Sequence, residues 1–228
     1  MRAIGAAEGG PETVLDAIES VMRGELLLLP THSWATMFRD NAISDPQVEP
    51  SCVGILTERF RHRNGVVRSL HTTHSVAALG PGAAAFVAGE ACFNTPCPRD
   101  GVNGKLVDAG ANILFLGCSL NRNTLIHGVE EWANIPNRLR EPPHPMKVRL
   151  PDGQLLDCPM HGHLSPLGDI SRNYGKLYQP FVARSACIEG QVGNANAILC
   201  DVRKMVRIAN EYLKRNPDYF SSDTIESE

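Results

Sequence analysis

The stretch Asn112–Trp132 reads NILFLGCSLNRNTLIHGVEEW and contains both kinds of element that decide the fold. Its first six residues, 112–117, form a short apolar run that ends in a glycine, which predicts a buried β-strand. After a polar turn, Asn123 or Thr124 can cap a helix that continues from about Leu125 to the end of the stretch. A strand that leads directly into a helix is the unit from which α/β proteins are built.

The same alternation continues on both sides of this stretch. A helix is predicted from Pro11 to the glycine at Gly24, because its apolar residues recur at helical spacing. Leu26–Leu29 then forms a continuous apolar run before a proline, which predicts a second buried strand. Pro151-Asp152-Gly153 predicts a hairpin turn, and apolar residues from Asn196 to Arg215 predict one long last helix. The sequence therefore predicts an α/β fold.

Composition and charge narrow the functional classes. The chain has 228 residues, of which 43% are hydrophobic and 21% are charged, as is usual for a globular protein. A net charge of −3 provides no cationic field for nucleic acid or for an anionic membrane. No apolar run approaches the length of a membrane span. The seven cysteines are an odd number without a repeating pattern, and we predict a cytoplasmic protein with reduced thiols.

Residues that can carry chemistry are concentrated in four segments. In chain order they are RSLHTTHSVAALG (68–80), TPCPRDGVNGKL (95–106), LFLGCSLNRNTLIHGVEEW (114–132) and CPMHGH (158–163). Their order and content resemble the aminoglycoside 3-N-acetyltransferase family, whose motifs include RSxxPxxSVAAxG and LLGxxxxxxTxxHxxE. The matching residues are Ala3-Ile4-Gly5, Gly9-Gly10, Thr13-Val14, Pro30-Thr31, Arg68-Ser69, Ser75–Gly80, Leu116-Gly117, Thr124, His127, Glu130 and the small-residue turn Gly190–Ala197.

This resemblance implies the fold, the reaction and the partners. The expected fold is a single-domain α/β/α sandwich with a mixed sheet, formed by an acetyltransferase domain over residues 1–220 and followed by a polar tail, 221–228. Because the chain starts inside the first motif, its N-terminus is expected to be shortened relative to the family. The implied reaction is acetyl transfer from acetyl-CoA to the 3-amino group of a 2-deoxystreptamine aminoglycoside, without a metal. No nucleic-acid or membrane partner is expected, and a homodimer is one possible assembly.

His127 and Glu130 are the predicted catalytic residues, and the chemistry of the reaction supports this independently. An amine attacks a thioester only as the neutral form, so a base has to remove its proton. In the first turn of a helix, the dipole disfavours the imidazolium and leaves a neutral imidazole. Glu130 lies three residues further on the same helical face and can orient the ring or attract an ammonium group. A routine surface pair of histidine and glutamate is the alternative.

Hydroxyl groups and one arginine are the predicted cofactor contacts. Ser75, with Arg68 and Ser69 as positioning groups, can surround a pyrophosphate or a pantetheine arm. By the family resemblance, Thr31 and Ser33 follow the early strand at a place where cofactor and substrate loops gather. The alternative for Arg68–Gly80 is a helix start that is capped by Ser75 or Thr73.

Four further residues are predicted to contact the acceptor amine. They are His32 after the early strand, Glu90 where relatives often have histidine, and His161 and Asp169 in a segment that the family places near the acceptor pocket. Polar loops that have no role in binding are the alternative for the last two.

The sequence also leaves other chemistries open. A zinc-dependent hydrolase is suggested by a group of possible ligands, although no CxxC pair occurs: Cys92, Cys97, Cys118, Cys158, His161 and His163. Cys118 could also act as a nucleophile and form an acyl-enzyme. The remaining alternatives are an acetyltransferase for a different small amine and a catalytically impaired homologue that only binds CoA.

Overall fold

The computed structural model describes residues 2–40, 42–163 and 168–221. The helices are α1 Pro11–Val21, α2 Trp34–Met37, α3 Ile55–Phe60, α4 Ala83–Phe86, α5 Val102–Ala109, α6 Thr124–Trp132, α7 Tyr178–Ala183 and α8 Val202–Arg215. The strands are β1 Leu27–Pro30, β2 Ile43–Ser44, β3 Val67–Arg68, β4 Val76–Leu79, β5 Asn112–Leu116, β6 Lys147–Arg149, β7 Leu155–Asp157, β8 Cys187–Val192 and β9 Ala195–Asp201. Short 3₁₀ helices occupy Glu90–Cys92, Leu120–Arg122 and Ile170–Leu177.

The chain divides into two compact units, each with its own hydrophobic core. The first unit comprises Met1–Arg2, Ala6–Pro96 and Pro142–His161, and the second comprises Ala3–Gly5, Cys97–Glu141 and Gly162–Glu228. A single acetyltransferase domain over residues 1–220 remains a prediction. Except for Ser221, the predicted polar tail lies outside the described residues.

The first unit contains two three-stranded sheets. In one of them β4 lies between β1 and β3 and is antiparallel to both. Leu15 of α1, Phe60 of α3 and Ala77 of β4 are fully buried together and form the core beside this sheet. In the other sheet β6 pairs in parallel with β2 and antiparallel with β7, so this sheet is mixed.

The second unit is built on an antiparallel sheet in which β9 lies between β5 and β8. The helices α6 and α8 pack their apolar sides into one core with Phe115 of β5, and Val129 and Met205 are among its fully buried residues. This core fixes α6, the helix that contains His127 and Glu130.

Most of the predicted elements are confirmed. The stretch 112–132 forms β5 followed by α6, the first helix is α1, and the early apolar run forms β1. The hairpin turn at residues 151–153 connects β6 to β7. The α/β fold class and the mixed sheet are therefore confirmed.

The prediction of one long last helix from residue 196 was wrong in its first part. Residues Ala195–Asp201 form β9, which has hydrogen-bonded strands on both sides, and the helix begins only at Val202. Asp201 ends the strand and caps the helix, because its carboxylate accepts a hydrogen bond from the backbone N–H of Lys204 at 3.0 Å. The predicted small-residue turn Gly190–Ala197 is likewise the end of β8, a tight turn and the start of β9.

No described helix has both the length and the apolar character required to cross a membrane. The cysteines whose side chains are described are all free thiols. The cytoplasmic location and a homodimer remain predictions.

Gly104→Ala should destabilise the second unit. Gly104 is buried in α5, and a Cβ at this position would overlap the backbone carbonyl oxygen of Arg99. Overpacking of this kind costs about 1–3 kcal/mol, which urea unfolding would detect as a lower midpoint. Gly190→Ala is the matched control, because no atom lies within 4 Å of its added Cβ. Equal midpoints for the two variants would contradict the prediction.

Candidate active site

The helix α6 positions the two predicted catalytic residues. Asn123 directly precedes the helix, and Leu125, Ile126 and Val129 bury its apolar side in the core of the second unit. The Glu130 side chain is only 1% exposed, whereas that of His127 keeps 18% of its surface accessible. Burial of the carboxylate excludes the alternative of a routine surface pair.

A tyrosine hydroxyl connects the two residues. The hydroxyl oxygen of Tyr174 lies 2.6 Å from Nδ1 of His127 and 2.6 Å from Oε2 of Glu130. The direct distance from His127 Nδ1 to Glu130 Oε2 is 4.0 Å, so the carboxylate does not bond the ring itself. Glu130 therefore acts on His127 through Tyr174.

The direction of these hydrogen bonds sets the tautomer of His127. Tyr174 has a single hydroxyl proton, and burial beside Glu130 raises its pKa well above the usual value, so the group remains a phenol. The proton is donated to the Glu130 carboxylate, and the same oxygen accepts a hydrogen bond from Nδ1–H of His127. The lone pair of the imidazole consequently lies on Nε2, which forms no hydrogen bond within the described part of the chain.

A buried arginine keeps this carboxylate ionised. Arg138 Nε donates to Glu130 Oε1 at 2.6 Å, and both side chains are almost completely buried. Burial raises the pKa of the Glu130 carboxyl, whereas the hydrogen bonds from Tyr174 and Arg138 oppose this shift. Arg138 also offsets the negative charge of Glu130 near His127. The chain of hydrogen bonds from His127 through Tyr174 to Glu130, the Tyr174–Glu130 relay, therefore selects one tautomer of His127 without strongly favouring the imidazolium.

A second histidine, His163, packs against the ring of His127. The rings of His163 and His127 are stacked, with centroids 4.0 Å apart and planes inclined by 17°. His163 is held in turn by Glu131, whose Oε1 lies 2.6 Å from its Nε2. Burial lowers the pKa of His127 well below its usual value, and His163 lowers it further, whereas Asp169 acts in the opposite direction. His127 is therefore neutral at physiological pH, as a base has to be.

A small cavity of about 20 Å³ adjoins this group of residues, roughly the space needed for one water molecule. It is lined by His127, Arg138, His163, Gly168, Asp169 and Ile170. Asp169 was predicted to contact substrate. Its carboxylate is exposed, and the structure places it on the same cavity as His127.

The predicted cofactor contacts all lie in the first unit, where their side chains form hydrogen bonds within that unit. Arg68 donates from Nε to the hydroxyls of Thr31 and Ser75, at 3.1 and 3.0 Å, and from Nη2 to the Thr31 carbonyl at 2.7 Å. Ser33 Oγ donates to the Thr72 carbonyl at 2.9 Å. Burial lowers the pKa of Arg68 to about 10. The guanidinium of Arg68 and these buried hydroxyls are therefore already engaged in hydrogen bonds at the ends of β1, β3 and β4.

Ser69 shows the same internal bonding. Its Oγ accepts a hydrogen bond from the backbone N–H of Val76 at 3.0 Å. The alternative of a helix start capped by Ser75 or Thr73 was wrong, because Ser75 directly precedes the strand β4.

The other predicted substrate contacts are also in the first unit. His32 and Glu90 are buried, and the ring of His32 lies 4.6 Å from that of His74. His161 is partly buried, and its backbone N–H donates to the carbonyl of Asn94 at 2.8 Å.

The cysteine alternatives receive little support from the structure. Cys158 Sγ lies within hydrogen-bonding distance of the carbonyls of Ala91 and Phe93, at 3.2 and 3.3 Å. Cys118 is exposed, but neighbouring atoms desolvate its sulfur and raise the pKa of the thiol, which disfavours the nucleophilic thiolate. A different set, Cys97, Glu131 and His163, brings three possible metal ligands together in the second unit.

Sequence reasoning did not identify Tyr174 and Arg138. Tyr174 reaches α6 from the 3₁₀ helix Ile170–Leu177. A hydrogen bond from the backbone N–H of Gly175 to Asn121 Oδ1, at 2.6 Å, anchors this 3₁₀ helix. Neither residue belongs to a motif, and their spacing from Glu130 shows no periodicity. His163 was named only as a possible metal ligand.

Comparisons with known proteins identify the family. The profile of the aminoglycoside 3-N-acetyltransferase family matches residues 1–214. Aminoglycoside N(3)-acetyltransferase VII of Streptomyces paromomycinus is 33% identical over 156 residues, which cover 60% of this chain and 54% of that protein. The match therefore spans about half the length of this relative.

Solved structures share the fold. The crystal structure of aminoglycoside acetyltransferase AAC(3)-Xa has a TM-score of 0.80 and 25% identity, over 93% of this chain and 83% of that chain. A structure of AAC-IIIb binary with CoASH has a TM-score of 0.79 and 23% identity, over 94% of this chain and 87% of that chain. From the profile match and this shared fold, the chain belongs to the aminoglycoside 3-N-acetyltransferase family.

Proposed function

We propose that this protein transfers the acetyl group of acetyl-CoA directly to an amine, with the 3-amino group of a 2-deoxystreptamine aminoglycoside as acceptor and His127 as general base. The family membership and the names of its relatives support the reaction. The AAC-IIIb structure with CoASH supports the donor. The observation that carries the proposal is the bonding of His127, whose Nδ1 is anchored by Tyr174 while Nε2 retains its lone pair.

In the proposed step, the amine nitrogen forms a bond to the acetyl carbon and the carbon–sulfur bond breaks. Nε2 of His127 takes the proton that the nitrogen loses, and the sulfur leaves as the thiolate of CoA and is then protonated. The products are an acetamide and CoA thiol. The Tyr174–Glu130 relay supports this step by keeping the other ring nitrogen protonated.

Direct transfer is favoured over an acyl-enzyme. The raised pKa of Cys118 leaves this thiol protonated, and His127 already provides a base. Intersecting lines in initial-rate plots with both substrates would support direct transfer, and parallel lines would support the acyl-enzyme.

We also propose roles in binding for residues outside the catalytic pair. Asp169 presents an exposed carboxylate on the cavity that His127 lines, and this charge suits an ammonium group of the acceptor. His32, Glu90 and His161 remain proposed acceptor contacts. Arg68 and the hydroxyls of Thr31, Ser33, Ser69 and Ser75 are proposed to stiffen the strand ends on which acetyl-CoA would rest, because their polar atoms are bonded internally.

Release of CoA thiol is the test of this function. Purified protein is mixed with acetyl-CoA and, in parallel, with 2-deoxystreptamine aminoglycosides and unrelated amines, and the thiol is measured with a chromogenic disulfide. Release that depends on a 2-deoxystreptamine aminoglycoside, with acetylation mapped to the 3-amino group, supports the proposal. Calorimetric binding of CoA without any release would instead identify the impaired homologue, and neither binding nor release would refute the proposal.

Tyr174→Phe should lower kcat more than it changes KM. The variant removes the hydroxyl that fixes the tautomer of His127, so we expect kcat to fall about 10–100-fold, less than for loss of the base itself. Tyr178→Phe is the matched control, because the hydroxyl of Tyr178 bonds Glu189 at the surface. Unchanged kcat in Tyr174→Phe would show that the relay does not serve the base.

A further inference from the structure

Three side chains with different ligand atoms converge beside α6. Cys97 lies in the loop before α5, Glu131 lies on α6 next to Glu130, and His163 follows the CPMHG segment. Their ligand atoms, one sulfur, one carboxylate oxygen and one imidazole nitrogen, all lie within 4.8 Å of one another. They come from three separate segments, so the fold itself brings them together.

Burial and fixed orientation distinguish this cluster from a chance group of exposed acidic side chains and favour a bound cation. Cys97 is fully buried, and the side chains of Glu131 and His163 are only 6% and 11% exposed. The backbone N–H of Cys97 donates to Glu131 Oε1 at 3.0 Å, which orients the carboxylate. The ring of His163 is fixed by its stack on His127. Such outer contacts characterise pre-arranged metal ligands.

The chemistry of the donors selects zinc. Thiolate, imidazole and carboxylate are the three ligand types that Zn²⁺ binds in proteins, and hard cations such as Mg²⁺ avoid sulfur. A deprotonated Cys97 and an ionised Glu131 together neutralise a doubly charged cation. Three protein ligands leave a fourth tetrahedral position open for water.

We propose that Cys97, Glu131 and His163 form a zinc site that fixes the His163 side chain to α6. In the structure, His163 Nε2 and Glu131 Oε1 are 2.6 Å apart. Tetrahedral ligands at Zn–N and Zn–O distances of about 2.1 Å would be roughly 3.4 Å apart. Zinc binding would therefore replace this hydrogen bond by two metal–ligand bonds.

Metal content and spectroscopy test this site directly. The tag-free protein is equilibrated with buffered Zn²⁺, dialysed, and analysed by inductively coupled plasma mass spectrometry; cobalt is exchanged into a second sample. We expect one zinc ion per chain and a near-ultraviolet thiolate-to-cobalt absorption band. Cys97→Ser should lose both, and His163→Asn should lose the bound metal. Cys118→Ser is the matched control, since this cysteine is exposed and outside the cluster.

Thermal unfolding supplies a readout that does not require enzyme activity. Zinc that binds only the folded state raises the unfolding temperature, and this rise should disappear in Cys97→Ser while persisting in Cys118→Ser. Folding of each variant is checked by circular dichroism. A wild-type protein that retains no zinc and shows no cobalt–thiolate band would overturn the proposal and leave a hydrogen-bonded His163–Glu131 pair. Equal zinc contents in Cys97→Ser and Cys118→Ser would overturn it as well.

Discussion

His127→Gln should reduce kcat for acetyl transfer about 10²–10⁴-fold, the range that a general base contributes. Glutamine is polar and of similar reach, but its amide cannot accept a proton at neutral pH. KM for acetyl-CoA should change little, because the variant removes a group that acts in the transition state. The measurement is steady-state thiol release with a saturating aminoglycoside.

Two observations would separate loss of the base from other effects. The residual rate of His127→Gln should rise with pH, because a larger fraction of the acceptor amine is then neutral without enzymatic help. His62→Gln is the matched control, since the side chain of His62 is 56% exposed and bonds Glu58. If His127→Gln kept wild-type kcat while folding normally, the assignment of the base would be wrong and the proposed mechanism with it.

The sequence predicted the helix α6 well because the relevant information is local. His127 and Glu130 are three residues apart, and α6 follows β5 after a short turn, so spacing alone placed both side chains on one helical face. The relay between them could not be predicted. Tyr174 is 44 residues from Glu130 along the chain, and it reaches the carboxylate only because the 3₁₀ helix Ile170–Leu177 packs against this part of the second unit.

The last helix illustrates a second limit of sequence patterns. Residues 195–201 contain apolar side chains whose spacing also fits a helix, so periodicity extended the helix by several residues. Pairing with neighbouring strands makes this segment a strand, because β9 exchanges hydrogen bonds with β5 on one side and with β8 on the other. A similar limit applies to Arg68 and Ser75, because both bond Thr31, which is 37 and 44 residues away along the chain.

Arg138→Met should be the most destabilising single change near the site. Arg138 donates to Glu130 Oε1 at 2.6 Å and to the backbone carbonyls of Pro136 and Pro217 at 3.0 and 2.9 Å. Removing the cation leaves a carboxylate buried without its charge partner, which typically costs about 3–5 kcal/mol. At this chain length, this cost corresponds to a fall in Tm of roughly 6–20 °C, measurable by calorimetry.

The comparison variant is a surface ion pair in the same unit. Arg184 pairs with Glu211, and both side chains are more than one third exposed, so Arg184→Met should cost only about 0–1 kcal/mol. Similar losses in the two variants would contradict the role assigned to the buried pair.

Glu130→Gln tests the same pair from the other side and separates stability from activity. Glu130→Gln/Arg138→Met should be more stable than Arg138→Met alone, because no unpaired charge remains buried. In the single variant Glu130→Gln, Arg138 continues to donate to the amide oxygen, so the amide N–H₂ faces Tyr174 and donates to it. The tyrosine proton then turns toward Nδ1 of His127, and the ring has to carry its proton on Nε2. The reversed relay should abolish the function of His127 as a base while the protein remains folded. A fully active Glu130→Gln would show that the tautomer of His127 is set by something other than this chain of hydrogen bonds.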